Sequence, residues 1–136
     1  MATINIPNGK KVLVVEDNHF RNQWFRDHIP GVTIAETVDE ALEALNSPST
    51  PMYDLVFLDH DAANVFVDRS DHRYNDLTFW RVAEELAQTN FPGIVIIHSH
   101  NPVGAARMAK LLRTRQSGTV FIQRFGSINI NYGGQR

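Results

Sequence analysis

The chain has 136 residues, 43% of them apolar and 21% charged, with a formal net charge of −2. That length and balance fit one domain able to bury a substantial core, and they exclude a general electrostatic pull toward nucleic acid. With no cysteine, disulfides and thiolate metal sites are excluded as well.

The opening stretch, MATINIPNGK, lacks an apolar run of signal-peptide length, and no segment reaches the length of a membrane span. The expectation is a cytoplasmic protein with no membrane partner and no stable nucleic-acid binding. A single domain is expected over residues 1–136, with 1–9 and 126–136 as terminal extensions.

Taken in chain order, five short apolar runs stand out: KVLVV at 11–15, VTIA at 32–35, DLVFL at 54–58, GIVIIH at 93–98 and TVFIQ at 119–123. They are rich in Val, Ile and Phe and barely alternate with polar residues, which suits strands covered on both faces. Helical spacing fills the gaps. Residues 18–29 carry Phe20, Trp24, Phe25 and Ile29. Residues 38–45 carry Val38, Ala41, Leu42 and Leu45, with Thr37 as N-cap and Glu40 three positions later. Residues 76–88 set Leu77, Trp80, Val82, Ala83 and Leu86 mostly on one face. Residues 102–114 do the same with Val103, Ala106, Met108, Leu111 and Leu112. Such stripes read as core.

This rhythm of strand and helix predicts an α/β three-layer sandwich: a five-stranded parallel sheet in the order 2-1-3-4-5, with right-handed crossovers. The connection DHDAANVFVDRSDHRYN, 59–75, is long enough to suggest a functional loop, a lid or a partner surface. The tail GSININYGGQR alternates Ile128, Ile130 and Tyr132 with asparagines. A sixth, edge strand paired with TINI at 3–6 and a partly ordered tail are both compatible with it.

In an open α/β sheet, ligands bind beyond the carboxyl ends of the strands. Glu16, Asp17, Asn18 and His19 follow the first strand; Asp59, His60 and Asp61 follow the third. His98, Ser99, His100 and Asn101 follow the fourth, and Gln123 and Arg124 the fifth. Each group has a plain structural reading: Asp17 or Asn18 as a helix N-cap, DHD as a solvated turn, His98 as a half-buried, satisfied side chain. Convergence favours a site. Carboxylates from neighbouring strand ends repel one another unless a cation sits among them. Glu16, Asp17, Asp59 and Asp61 are the candidate ligands, with His60 as an additional one. Oxygen ligands favour Mg²⁺ or Mn²⁺, and the histidines make Zn²⁺ or Fe²⁺ compatible. The segment HSHNP suits a phosphate. Histidine can protonate a leaving oxygen, Ser99 and Asn101 can hydrogen-bond to it, and the following helix offers its N-terminus. Pro102 suits the first helical turn, and Gly104 permits close approach of a ligand or a neighbouring group.

The segments KVLVVEDN and YDLVFLDHD resemble the response-regulator receiver domain. In that family a carboxylate pair and a third-strand aspartate hold Mg²⁺, and the aspartate accepts a phosphoryl group. Glu16, Asp17 and Asp59 match these positions, and Ser99 matches the hydroxyl residue after the fourth strand. Where receivers carry a lysine, this chain reads Gln123-Arg124-Phe125. LDHD and HSHNPVGAARM further resemble the cyclic-phosphate-processing receiver domains, whose patterns are LDHDL and HSxNPxGAxxM. Ala62 replaces the usual leucine, Thr78-Phe79 stands for the usual Thr-Gly, and His100 falls at a variable position.

The resemblance implies a metal-dependent phosphoesterase acting on cyclic phosphate esters, with cyclic nucleotides as the small phosphate-containing ligand. Its candidate catalytic residues are His98, Asp59, His60, Ser99, Asn101 and His100. Candidate substrate-binding residues are Arg124, Asn101, Ser99 and Gly104. A non-catalytic phosphoacceptor and a module that binds a nucleotide signal without cleaving it remain alternatives, and a homodimer is compatible with all three.

Overall fold

The computed structural model describes residues 2–47, 52–61, 70, 72 and 78–133. Its strands are β1 (Ala2–Ile6), β2 (Val12–Val15), β3 (Thr33–Ala35), β4 (Leu55–Leu58), β5 (Ile94–Ile97), β6 (Thr119–Ile122) and β7 (Ile128–Tyr132). The described helices are α1 (His19–His28), α2 (Val38–Asn46), α3 (Trp80–Gln88) and α4 (Pro102–Leu112).

Five strands form a parallel sheet in the order β3-β2-β4-β5-β6. The expected architecture and order are therefore present. Successive side chains alternate between the two faces. Leu13, Val15, Val56, Leu58, Val95 and Ile97 belong to the core formed with α2, α3 and α4. Val12, Val14, Leu55, Phe57 and Ile96 pack with Phe25 of α1 and with Ile6, Ile128 and Ile130. Cover on both sides is why β2 and β4 are apolar at every position.

The helices start where their caps dictate. Asn18 accepts from the Arg21 amide at the start of α1. Thr37 accepts from the Glu40 amide at the start of α2, and Glu40 reaches back to the Glu36 amide. Asn101 caps α4, with Pro102 in the first turn. The expected third helix is seen from Trp80; residues 76 and 77 of that expectation lie outside the described residues. So does most of the 59–75 connection, including Ala62.

Of the two expectations for the tail, the strand paired with residues 3–6 is the one present, although it stands apart from the main sheet. β7 pairs in parallel with β1, from Ala2 opposite Ile128 to Ile6 opposite Tyr132, as a separate two-stranded sheet. A short 3₁₀ turn at Phe125–Ser127 carries the chain off β6. The alternating isoleucines then cover the α1 face of the main sheet, a burial the sheet edge would not provide. No described helix is long and apolar enough to cross a membrane.

Candidate functional site

The strand ladder runs one residue past each strand end and sets the site residues side by side. Glu16 N–H donates to Ala35 O at 3.0 Å, Asp59 N–H to Val15 O at 3.0 Å, His98 N–H to Leu58 O at 3.1 Å and Gln123 N–H to Ile97 O at 2.8 Å. The polar side chains buried in the described residues are Glu16, Asn22, Asp59, His60, Thr78, His98, Ser99 and Asn101. All gather at this edge of the sheet. Buried polar groups are costly unless paired, so their concentration here marks a built site.

One half of the site is acidic. Glu16 is fully buried, and His98 Nε2 lies 2.9 Å from its Oε1. The Asn18 amide donates to Glu16 Oε2 at 3.0 Å, and Arg21 Nη1 approaches Oε1 at 3.3 Å. Burial works against the charge on Glu16, but His98, the Asn18 amide and Arg21 outweigh it and hold the pKa down at about 2. Glu16 is thus ionised, and His98 presents Nε2–H to it. The other ring nitrogen, His98 Nδ1, is buried with no hydrogen-bond partner among the described residues.

Asn18 is the α1 cap, which frees Asp17 from that role. Asp17 Oδ1 is buried with no hydrogen-bond partner among the described residues. Burial first, then the Glu16 charge, push the Asp17 carboxyl up to about 6. The same two causes push Asp59 well above the usual carboxylate range. Among the described residues, the Asp59 carboxylate accepts from the neighbouring His60 amide at 2.8 Å and faces Arg21 at 3.9 Å.

The other half is internally satisfied. His60 Nδ1 lies 2.6 Å from Asp61 Oδ1, so the ring donates to that carboxylate. Asn101 Nδ2 also reaches Asp61 Oδ1, at 3.4 Å, while Asn101 Oδ1 accepts from the Gly104 amide at 3.0 Å. The His60 ring lies so close to α4 that a Cβ on Gly104 would fall 2.5 Å from its Cγ and Nδ1. The close approach anticipated at Gly104 is therefore that of an imidazole from the same chain. The Ser99 hydroxyl oxygen accepts from the Asn101 amide at 2.9 Å.

The expected residues fall into three groups. Glu16, Asp59 and His98 each offer a donor atom, all within 4.8 Å of one another. Asp61 and His60, expected as further ligands, turn instead toward each other and toward the start of α4. His100 and Arg124 are exposed. The His100 pKa is lowered, by partial burial first and then by the charges of Arg21 and Arg124, which places both guanidinium groups near its ring.

Three contributors were not singled out in the sequence. Arg21 bridges Glu16 and Asp59. Asn22 Nδ2 donates to Glu16 O at 2.8 Å. Phe125 lies under the Arg21 guanidinium at 5.6 Å and against His98. The signal for Arg21 was the cap. With Asn18 as N-cap, Arg21 is the third helical residue, a position whose side chain reaches back toward the preceding strand.

A divalent cation fits this donor set. Ionised Glu16, the crowded Asp59 carboxyl and the unpartnered Asp17 oxygen would all be relieved by positive charge among them.

Comparison with known proteins agrees with the fold. One structure that the chain resembles is the N-terminal domain of a response regulator/sensory box/GGDEF three-domain protein from Carboxydothermus hydrogenoformans. Identity is 20%, over 83% of this chain and 81% of that one, with a TM-score of 0.52. A fusion carrying the yeast Spc42 trimeric coiled coil, residues 181–211, aligns at 18% identity over 85% of this chain and 70% of that one, also at 0.52. The signal receiver domain of a Luxo repressor protein from Vibrio parahaemolyticus aligns at 21% identity over 83% and 77%, with a TM-score of 0.48. No curated protein matches significantly. A sequence model for the cyclic-phosphate processing receiver domain matches residues 12–114, from the first strand of the main sheet past the end of α4. Fold, strand-end acids and the HSHNP turn thus converge with that match, and the chain belongs to the cyclic-phosphate processing receiver domain family.

Proposed function

We propose that the chain is a metal-dependent phosphoesterase that hydrolyses cyclic phosphate esters, with cyclic nucleotides as the substrate class. The observation that carries this reading is the buried set of Glu16, Asp59 and His98 donor atoms within 4.8 Å of one another. The family description, cyclic-phosphate processing, supports the substrate class.

Glu16, Asp17 and Asp59 would hold the cation, Mg²⁺ or Mn²⁺ by their oxygen chemistry, with His98 adjacent and Zn²⁺ or Fe²⁺ compatible through its nitrogen. The cation supplies Lewis acidity and a lowered pKa for water. The chain's own residues do the rest. Arg124 brings positive charge to the mouth beside His100, and the start of α4 adds the positive end of a helix dipole for a phosphoryl oxygen. The Ser99 hydroxyl keeps its hydrogen available for the same oxygen while its own oxygen accepts from Asn101. His98 is locked to Glu16 and orients that carboxylate. His100 is exposed and is the freer of the two to pass a proton to a leaving oxygen. His60, Asp61, Asn101 and Gly104 fix the backbone that presents Ser99 and the start of α4.

The test is turnover of 2',3'-cyclic, 3',5'-cyclic and cyclic oligonucleotides with Mg²⁺ or Mn²⁺, and without either, read by product analysis. Full activity in a His98→Ala/His100→Ala double variant would remove the roles given to the histidines. Ligand bound but recovered intact would make the protein a nucleotide-binding module.

A second reading has one observation of its own. Asp59 ends the central strand β4, where receivers carry their phosphoacceptor, and its Oδ2 faces Arg21. Labelling by acetyl phosphate that disappears in Asp59→Asn, together with no hydrolysis, would favour this reading.

A further inference from the structure

Arg21 stands where positive charge is most needed. Its Nη1 is 3.3 Å from Glu16 Oε1 and 3.9 Å from Asp59 Oδ2. The two carboxylates are 0% and 4% exposed and the arginine side chain 18%, so this is no surface ion pair. The guanidinium is held from below by the Phe125 ring at 5.6 Å, and its backbone is fixed by the Asn18 cap. Glu16 and Asp59 are also two of the three residues whose donor atoms converge with His98. A guanidinium can offset their charge but cannot coordinate them, and a divalent ion carries twice its charge. Guanidinium and divalent ion therefore compete for the same two carboxylates.

We propose that Arg21 is the built-in counter-ion of the metal-free site. A divalent cation takes its place between Glu16 and Asp59, and the released guanidinium, still tethered in the first turn of α1, receives the phosphate of the ligand. The arginine thus sets metal affinity in one state and phosphate affinity in the other. The inference rests on the metal-dependent reading above.

The experiment uses the full chain, Arg21→Gln and Arg21→Lys, with circular dichroism as the folding control. Mn²⁺ binding is followed by the electron paramagnetic resonance of the free ion. Removing the competitor should tighten Mn²⁺ binding by about tenfold in Arg21→Gln, the equivalent of one decade in Kd. At saturating Mn²⁺, inorganic phosphate should bind about tenfold more weakly to Arg21→Gln, with partial recovery in Arg21→Lys. Unchanged or weaker Mn²⁺ binding in Arg21→Gln, or no Mn²⁺ binding in either protein, overturns the exchange. Unchanged phosphate affinity overturns the second role.

Should the variants fail to fold, the wild type decides. On titration with Mg²⁺ the Arg21 side-chain Nε resonance should shift and its proton exchange faster with water. A resonance that stays fixed overturns the proposal. A wild type that follows this pattern yet cleaves no cyclic nucleotide removes the hydrolase reading alone. Hydrolysis with Mn²⁺ affinity indifferent to Arg21→Gln removes the exchange alone.

Discussion

The two halves of the strand-end edge are built from similar residues and end in opposite states. Around Glu16, Asp17 and Asp59, three carboxyl groups crowd together: one Asp17 oxygen is buried without a hydrogen bond among the described residues, and two carboxyl pKa values are pushed upward. Around His60, Asp61 and Asn101, hydrogen bonds run from imidazole to carboxylate to amide to the first turn of α4. The difference teaches that the presence of acids and histidines at a strand end does not by itself make a ligand site. In the proposed reading, the crowded half is the one that takes up a cation. In the same reading, the satisfied half is scaffold for the turn proposed to face the phosphate.

The largest effect should come from breaking the acidic half. Glu16→Gln removes the one carboxylate that is firmly ionised. Metal affinity, read by calorimetry, should fall by more than the roughly 10- to 100-fold typical of losing an outer partner, and turnover should fall with it. Asp61→Asn should stay within that outer-partner range, because its carboxylate is spent on His60 and Asn101. Equal losses in the two variants would erase the distinction between the halves.

Next in size is a packing change in the satisfied half. Gly104→Ala puts a methyl group into the His60 ring, which must shift or displace the start of α4. A destabilisation of about 1–3 kcal/mol is expected from such overpacking, measured by urea unfolding. Asn101→Ala removes the α4 cap and should cost about 1 kcal/mol in the same assay.

The smallest effect sharpens the comparison through its sign. The Asp17 pKa is raised in the folded protein, to about 6, so the native state holds a proton that the unfolded chain has already released. Stability from this group is fully present below the ordinary carboxylate range and is lost as pH rises through about 6. Asp17→Asn should therefore raise Tm slightly at pH 7.5 and leave it unchanged at pH 4, by thermal melts without metal. For the wild type, Mg²⁺ or Mn²⁺ should raise Tm more at pH 7.5 than at pH 5, because the ion needs the deprotonated carboxylates.

Much of this was legible in the chain. Unbroken apolar runs such as VLVV and LVFL announce strands buried on both faces, and the stripes between them announce crossover helices. Glu16, Asp59 and His98 could be placed together because they end neighbouring strands of one sheet. Arg21 and Phe125 could not, because their meeting depends on helix phase and on where the tail returns. The pairing of β1 with β7 was only one of two open outcomes, since it joins opposite ends of the chain and draws its stability from cover given to the α1 face.

The histidines of HSHNP show the same division. The motif resemblance favours His98 over His100, yet His98 is locked against Glu16 while His100 stands at the mouth. The sequence by itself determined the parallel sheet, its strand order and the edge on which polar groups collect, because periodicity and chain order are local properties. Only the tertiary structure decided which of those groups are already paired and which are left wanting a partner. Pairing is a matter of distance between side chains far apart in the chain, as between Glu16 and His98 or His60 and Gly104, and no local pattern encodes it.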